Sequence, residues 1–263
     1  MQRFIHAQNI TSGYHRQPVL HNISLSIAEK EFIGIIGPNG SGKSTLLRSL
    51  SSALLPLKGT VRYKGSDLYQ LPLSAVAREF SFVPQESTFA FTFNAWQIAA
   101  MGRIPYLKRL EQENNKDIEI VKEAMQITDT LRFANRSIQE LSSGEKQMVI
   151  VAKALAQEPT VIFLDEPTSH LDIGHQVRIL NLLRRLNKEK GITIITVLHE
   201  LNIASEYCDR IILLDQGKLS AIGTPTEVLT YQNIETVYKT IVIVNKNPLS
   251  AKPHILLAHK EKS

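Results

Sequence analysis

The chain has 263 residues, 43% of them hydrophobic and 21% charged, which gives room for one large α/β domain, or one domain with an inserted subdomain, around a substantial core. Its net charge of +5 is spread along the chain rather than gathered into a block, so it marks no nucleic-acid patch. A single cysteine, Cys208, excludes an internal disulfide and most cysteine metal sites, and no run approaches the roughly 18 apolar residues of a membrane span.

Cys208 reads as a small buried hydrophobe in a reducing compartment. With no apolar leader in Met1 to Ile10, the chain is expected in the cytosol, taking part in any membrane process through partners. Phe4 to Ile10 and Val19 to Ile27 read as strands, the second alternating Ile23, Leu25 and Ile27 with polar neighbours before a turn at Glu29-Lys30. Between them Tyr14 falls in a Gly-Tyr loop, where an aromatic ring can stack on a base.

The apolar run Phe32 to Ile36 leads into Gly37-Pro38-Asn39-Gly40-Ser41-Gly42-Lys43-Ser44-Thr45, which matches G-x-x-x-x-G-K-[ST]. Glycines at 37, 40 and 42 allow backbone conformations in which successive N–H groups turn inward on an anion. Lys43 to Leu50 reads as a helix whose N-terminus faces the same phosphate oxygens. Lys43 supplies a full positive charge to the β- and γ-phosphates, Ser44 a hydroxyl for Mg²⁺, and Thr45 a hydrogen bond on the α-phosphate side.

Gly59 to Tyr63 starts a further strand, Lys64-Gly65-Ser66 a turn, and Phe80 to Val83 a short strand ending at Pro84-Gln85, from which Gln85 can reach Mg²⁺ and an attacking water. Helical periodicity then replaces strands from about Glu86 to Ala156. Phe89, Phe91, Phe93 and Trp96 cluster ahead of Met101-Gly102-Arg103-Ile104-Pro105-Tyr106, either as core or as an exposed patch for a partner. Leu107 to Lys116 is polar and loop-like, and Asp117 to Met125 reads as a helix with Ile118, Val121 and Met125 on one face.

Leu141-Ser142-Ser143-Gly144-Glu145 opens a helix, and Ser142 and Glu145 have the spacing of a capping box. The same helix N-terminus suits a second phosphate, which the nucleotide of the first loop does not supply. Val161 to Glu166 is four apolar residues ending in two carboxylates, as at the carboxyl end of a buried parallel strand. Adjacent like charges there favour a cation between them. Asp165 takes the metal side, and Glu166 is left to polarise the water. Asp172 is a candidate N-cap for an amphipathic helix with Val177, Leu180, Leu183 and Leu186 inward, ending at Gly191. Ile192 to Leu198 reads as another strand, with His199 at its end as a γ-phosphate contact. Ile211 to Leu214 and Leu219 to Ile222 form a hairpin, followed by a short helix from Pro225 to Leu229, a β-rich run Ile241 to Val244 and a basic, polar end.

Taken together, Gly37 to Thr45, Gln85, Leu141 to Glu145, Val161 to Glu166, Ser169 to Asp172 and His199 resemble the ATPase subunits of ATP-binding cassette (ABC) transporters over nearly the whole chain. The resemblance implies an α/β fold: a P-loop NTPase core with a mixed or parallel sheet (residues 1–86 and 157–223), an N-terminal antiparallel β-subdomain, an inserted helical subdomain (87–156) and a C-terminal extension (224–263). ATP and Mg²⁺ are the implied cofactors. Tyr14 becomes the adenine-stacking aromatic, Gln85 a switch residue, Ser142, Ser143, Gly144 and Glu145 the signature turn, and Asp172 a further nucleotide-binding residue. Lys43, Glu166, His199 and Gln85 form the catalytic set, and Ser44, Gln85 and Asp165 the metal set. Two copies would bind head to tail, each ATP lying between the phosphate loop of one and the signature turn of the other. Integral-membrane permease subunits are the implied partners at the cytoplasmic face of the membrane, a substrate-binding protein is met only through them, and no nucleic acid is involved.

The signature reads LSSGE where the family most often has LSGGQ, and Glu200 stands where aspartate is common. Met101 to Tyr106, Thr168 to Asp172, His199 to Asn202, and Gly223-Thr224-Pro225 with Glu227-Val228-Leu229 look like the importer branch for ferric siderophores, haem and vitamin B12, iron chelates first. A cassette ATPase working on DNA or the ribosome is the competing reading. It would call for a long coiled-coil insert or a second cassette, neither of which the sequence contains.

Overall fold

The computed structural model describes residues 4–85, 91–108 and 113–258, which fall into two compact units, 1–70 with 193–263, and 71–192. In the first unit, strands Gln17–Ile27, Ile5–Tyr14, Lys58–Tyr63 and Ser66–Asp67 lie side by side in that order as an antiparallel sheet. A second set runs Lys218–Gly223, Arg210–Asp215, Phe32–Ile36, Thr193–Val197; its outer pair is an antiparallel hairpin and the other pairings are parallel. Phe32–Ile36 and Thr193–Val197 are buried at every residue, because strands inside a parallel sheet are covered on both faces. Each large apolar side chain so buried contributes about 1.5–3 kcal/mol against the entropy of ordering the chain. The fold is thus α/β, with an antiparallel N-terminal sheet and a mixed sheet, as the sequence implies.

Cys208 is 2% exposed, and its sulfur lies close enough to Gly34 that a Cβ there would stand 2.7 Å from it. Tyr14 is the last residue of a strand, followed by a turn at His15-Arg16, rather than part of a loop. Past the hairpin, helices Pro225–Val228 and Tyr231–Tyr238 precede strands Val242–Lys246 and Pro253–Leu257, which pair antiparallel. The second helix and the last strand are not apparent in the sequence. This terminal hairpin is bound to helix Leu201–Tyr207: the Asn202 side chain accepts from the Ile255 amide at 2.7 Å and donates to its carbonyl at 3.1 Å, and Ser205 donates to the Pro253 carbonyl at 2.6 Å.

The second unit holds the parallel pair Phe80–Val83 and Val161–Asp165 with helices Leu73–Glu79, Ala95–Ala100, Asn115–Ile127, Ser143–Ala156 and Ile173–Lys190. Phe91 is 72% exposed, and Phe93 and Trp96 are only partly covered, so these aromatics do not form a core cluster; Phe89 lies outside the described residues. Helix Asn115–Ile127 turns Asp117, Val121, Ala124 and Met125 inward and leaves Ile118 41% exposed, contrary to the sequence-based face. The cause is Arg103, itself 3% exposed, whose Nε donates to Asp117 at 2.9 Å. With Asp117 drawn inward, the next residue is rotated about 100° outward. Val177 is likewise 42% exposed, the buried face of its helix being Ile179, Leu180, Leu182, Leu183 and Leu186. Among the described residues no helix is long and apolar enough to cross a membrane.

Arg103 also donates through Nη1 to the Ala156 carbonyl at 2.8 Å and to Glu158 at 2.9 Å, and its guanidinium lies 3.9 Å over the Tyr106 ring. Removing one member of a buried ion pair strands the other's charge, which costs about 3–5 kcal/mol. Arg103→Ala is therefore expected to lower the thermal midpoint by about 10 °C. A calorimetric scan showing a shift of under about 2 °C would contradict the buried pair.

Candidate active site

In the first unit, strand Phe32–Ile36 delivers the chain into the phosphate loop, and helix Lys43–Leu50 carries it away, with the bounds expected from the sequence. Gly37 and Gly42 are glycines for physical reasons. Gly37 has φ 150° and Gly42 φ 96°, and a Cβ would stand 2.3 Å from the Leu214 carbonyl oxygen at the first and 2.6 Å from the Leu20 side chain at the second. The loop is braced by Ser41 N–H donating to the Pro38 carbonyl at 3.2 Å and Gly217 N–H donating to the Ser41 carbonyl at 3.1 Å.

Lys43 is 6% exposed, and its Nζ donates to the Gly37 and Pro38 carbonyls at 3.0 and 3.1 Å. The ammonium is thus held inside the loop, among the glycines and N–H groups that suit a phosphate chain. Thr45 is buried and Ser44 half-buried on the first turn. Around Gly40 a Cβ would meet nothing within 4 Å, so this side of the loop is open. Tyr14 is 38% exposed and accepts from Arg48 of the same helix at 3.2 Å. His199 follows strand Thr193–Val197, which pairs in parallel with the phosphate-loop strand at Ile35↔Val197. Gly37 and exposed His199 therefore each lie two residues past a paired position, at the same end of neighbouring strands.

In the second unit, Val83↔Leu164 is the last pairing of the parallel pair, and Gln85 and Glu166 each lie two residues beyond it. Gln85 Nε2 donates to Glu166 Oε2 at 2.7 Å and Ser169 Oγ donates to the same oxygen at 3.1 Å. Asp165, the last strand residue, is 2% exposed. Glu166 has φ 51°, a region that costs a residue with a Cβ about 1 kcal/mol or more and that recurs at functional sites. The bond from Ser169 N–H to the Glu166 carbonyl at 3.2 Å holds it there.

The signature turn is a complete capping box. Ser142 Oγ accepts from Glu145 N–H at 3.3 Å, while Glu145 Oε2 accepts from Ser142 N–H and Oγ, both at 2.9 Å. Asp172 caps helix Ile173–Lys190 by accepting from His175 N–H at 2.9 Å and contacts His175 Nδ1 at 2.8 Å. These bonds hold the Asp172 carboxyl below the usual carboxylate range, the His175 amide first and then its ring.

A family profile described as ABC transporter matches residues 20–169. The chain belongs to the ABC transporter family. It is 37% identical to the ferric enterobactin transport ATP-binding protein FepC of Escherichia coli (strain K12) over 96% of this chain and 93% of FepC. It is 39% identical to the ABC transporter ATP-binding protein YvrA of Bacillus subtilis (strain 168) over 98% of this chain, which spans 58% of YvrA. Among solved structures, the ATP-binding cassette MJ0796, a dimer in a post-hydrolysis state bound to ADP and Pi, matches 84% of this chain and 98% of its own at 29% identity and TM-score 0.73.

In this ABC cassette each unit carries an oxygen donor of the kind that Mg²⁺ takes beside a nucleotide. Among the described residues no cluster of three His, Cys, Asp or Glu forms a self-sufficient metal cage. Mg²⁺ needs only one or two protein oxygens when phosphates and waters supply the rest, and Ser44 and Asp165 offer a hydroxyl and a carboxylate. The cradle fits the phosphates equally: open space beside Gly40 and a buried ammonium at Lys43 held against the loop carbonyls. The sequence reading quoted Ser169 only as the start of the stretch to Asp172, with no role of its own, and did not single out His175. Both were present as short-range signals, three residues after Glu166 and Asp172 respectively, the first across a tight turn and the second at the spacing of a helix N-cap.

The Glu145 carboxyl is held below its ordinary range by the Ser142 amide first and the Ser142 hydroxyl next. A carboxyl depressed by folding stabilises fully above its unfolded value of about 4.3, and that stabilisation is lost as pH falls through the lower folded value. The cassette's signature turn is therefore expected to hold at neutral pH and to loosen only as pH falls below the ordinary glutamate range. An NMR titration following the Glu145 and Ser142 amides checks this, and a Glu145 midpoint at or above that of a free glutamate would contradict it.

Proposed function

We infer that this ABC cassette hydrolyses ATP to ADP and phosphate and thereby energises an importer of iron chelates, ferric siderophores first, with haem and vitamin B12 next. The observation that carries the reaction is the Glu166 carboxylate, oriented by Gln85 and Ser169 on the residue after buried Asp165. Phosphoryl transfer needs positioning and charge neutralisation more than covalent chemistry. Lys43 and the loop N–H groups bind the β- and γ-phosphates, Tyr14 stacks on the adenine, and Asp165 and Ser44 would hold Mg²⁺. The metal, when bound, spreads the negative charge of the phosphates. Glu166 orients the attacking water and takes up its proton, Gln85 aligns Glu166, and His199 hydrogen-bonds the γ-phosphate.

Two copies work head to tail, so that Ser142, Ser143, Gly144 and Glu145 of one face the ATP bound by the other. The dimeric ADP- and phosphate-bound cassette that this chain is similar to supports a pair of copies. The chain works at the cytoplasmic face of the membrane and reaches its cargo only through permease subunits, with a binding protein beyond them. The name of FepC supports iron chelates as the cargo.

Tagged Glu166→Gln protein captured from native membranes with ATP and Mg²⁺ tests this reading. Mass spectrometry is expected to find a multi-span permease, and the binding protein that accompanies it identifies the cargo. Recovery of soluble proteins, nucleic acid or ribosomes alone would remove transport from the account.

A further inference from the structure

The glycine of the signature turn is packed against a side chain that the reaction scheme above does not use. A Cβ built on Gly144 would lie 2.1 Å from His175 Cδ2, 2.5 Å from Cγ and 2.6 Å from Nε2. The imidazole therefore lies directly against the Gly144 backbone, and Gly144 shows no positive φ. Packing, not backbone freedom, is what excludes a side chain there. On its other side the ring is tethered: Nδ1 lies 2.8 Å from Asp172 Oδ2 while the His175 amide donates to Asp172 Oδ1 at 2.9 Å. An ionised carboxylate only accepts, so Nδ1 carries the proton. The Asp172 carboxylate and the Gly144 backbone thus flank the ring on two sides, and the side chain is 33% exposed.

Asp172 ends the loop that begins at Glu166, and Ser169, midway along it, donates to the Glu166 carboxylate. A path thus runs from the Glu166 carboxylate to Ser169, along three residues of chain to the Asp172–His175 pair, and across to the first turn of the signature helix. We propose that His175 is a positioning residue for hydrolysis, a strut that sets where the Gly144 turn stands relative to the Glu166 loop. This rests on the ATPase reading above. In a head-to-tail pair, the Glu166 loop serves the chain's own nucleotide and the signature turn serves its partner's, so the strut couples the two sites.

The test is steady-state ATP hydrolysis by the purified full-length protein with Mg²⁺, comparing the parent with His175→Ala, Gly144→Ala and the double variant, each checked for an unchanged thermal midpoint. His175→Ala is expected to lower kcat about tenfold, as misplacement of a reacting group does, with KM for ATP within about twofold because the phosphate loop is untouched. Gly144→Ala is expected to be more severe, since its methyl group overlaps the ring. The double variant is expected to exceed Gly144→Ala alone, because removing the ring makes room for the methyl group. In the Glu166→Gln background, His175→Ala is expected to bind a fluorescent ATP analogue normally and to form fewer ATP-dependent dimers. Wild-type kcat in His175→Ala beside an active parent would overturn the inference alone. So would a double variant no better than the product of the two single losses. An inactive parent would overturn the ATPase reading and this inference with it.

Discussion

Replacing Glu166 by glutamine is expected to lower steady-state ATP hydrolysis by about a hundredfold or more and to leave ATP binding intact. Glutamine has the shape of glutamate and keeps a carbonyl oxygen for the Gln85 and Ser169 donors that meet Glu166 Oε2 at 2.7 and 3.1 Å. The loop and its φ of 51° at this residue should therefore survive the change. What is lost, in the proposed reaction, is the negative charge that turns a water toward the γ-phosphate and receives its proton. A hundredfold loss corresponds to about 2.7 kcal/mol of transition-state stabilisation, in the range expected of one general base. Phosphate release by the variant at the parent rate would remove Glu166 from the reaction. A matching loss of ATP affinity would mean that it binds rather than activates.

Replacing Lys43 by alanine is expected to act at the binding step instead. Its ammonium, 6% exposed, donates to the Gly37 and Pro38 carbonyls at 3.0 and 3.1 Å. On the proposed reading the same charge meets the β- and γ-phosphates when a nucleotide occupies the loop. Hydrogen bonds to charged groups are worth about 1.5–3 kcal/mol each, so the loss of two weakens ATP binding by about a hundredfold or more. The helix itself should persist, since alanine is the strongest helix former and position 43 opens helix Lys43–Leu50. Lost ATP binding, measured by calorimetric titration, with a cooperative melting transition retained is the expected pair of results. Unaltered affinity would contradict the cradle.

What could be read from the chain alone follows from how local each feature is. The phosphate loop is a strand, a glycine-rich turn and a helix within about twenty consecutive residues, each step determined by neighbouring residue types, and the structure returns Lys43–Leu50 and Phe80–Val83 with the expected ends. The capping box at Ser142 and Glu145 and the N-cap at Asp172 are equally local and equally visible. The bond between Gln85 and Glu166 joins residues 81 apart, and nothing in the spacing of either shows it. The ring of His175 against Gly144 joins two helices in the same way. Ile118 and Val177 were misplaced on their helices because periodicity gives the width of an apolar face, not its phase; a buried Arg103–Asp117 pair set the first. The short helices Leu73–Glu79, Leu201–Tyr207 and Tyr231–Tyr238 carry too few turns for a periodic signal. Pro253 opens the last strand, where a proline is tolerated but reads as a stop.

The central claim is that ATP joins two copies of this chain and that Glu166 then discharges the pair by hydrolysis. Light scattering of the Glu166→Gln protein with ATP and Mg²⁺ measures it most directly. The mass is expected to move from the 29.5 kDa of one chain to twice that value, and to stay at one chain when Lys43→Ala is added or ATP is replaced by ADP. A single-chain mass with ATP demonstrably bound would contradict the shared, head-to-tail site.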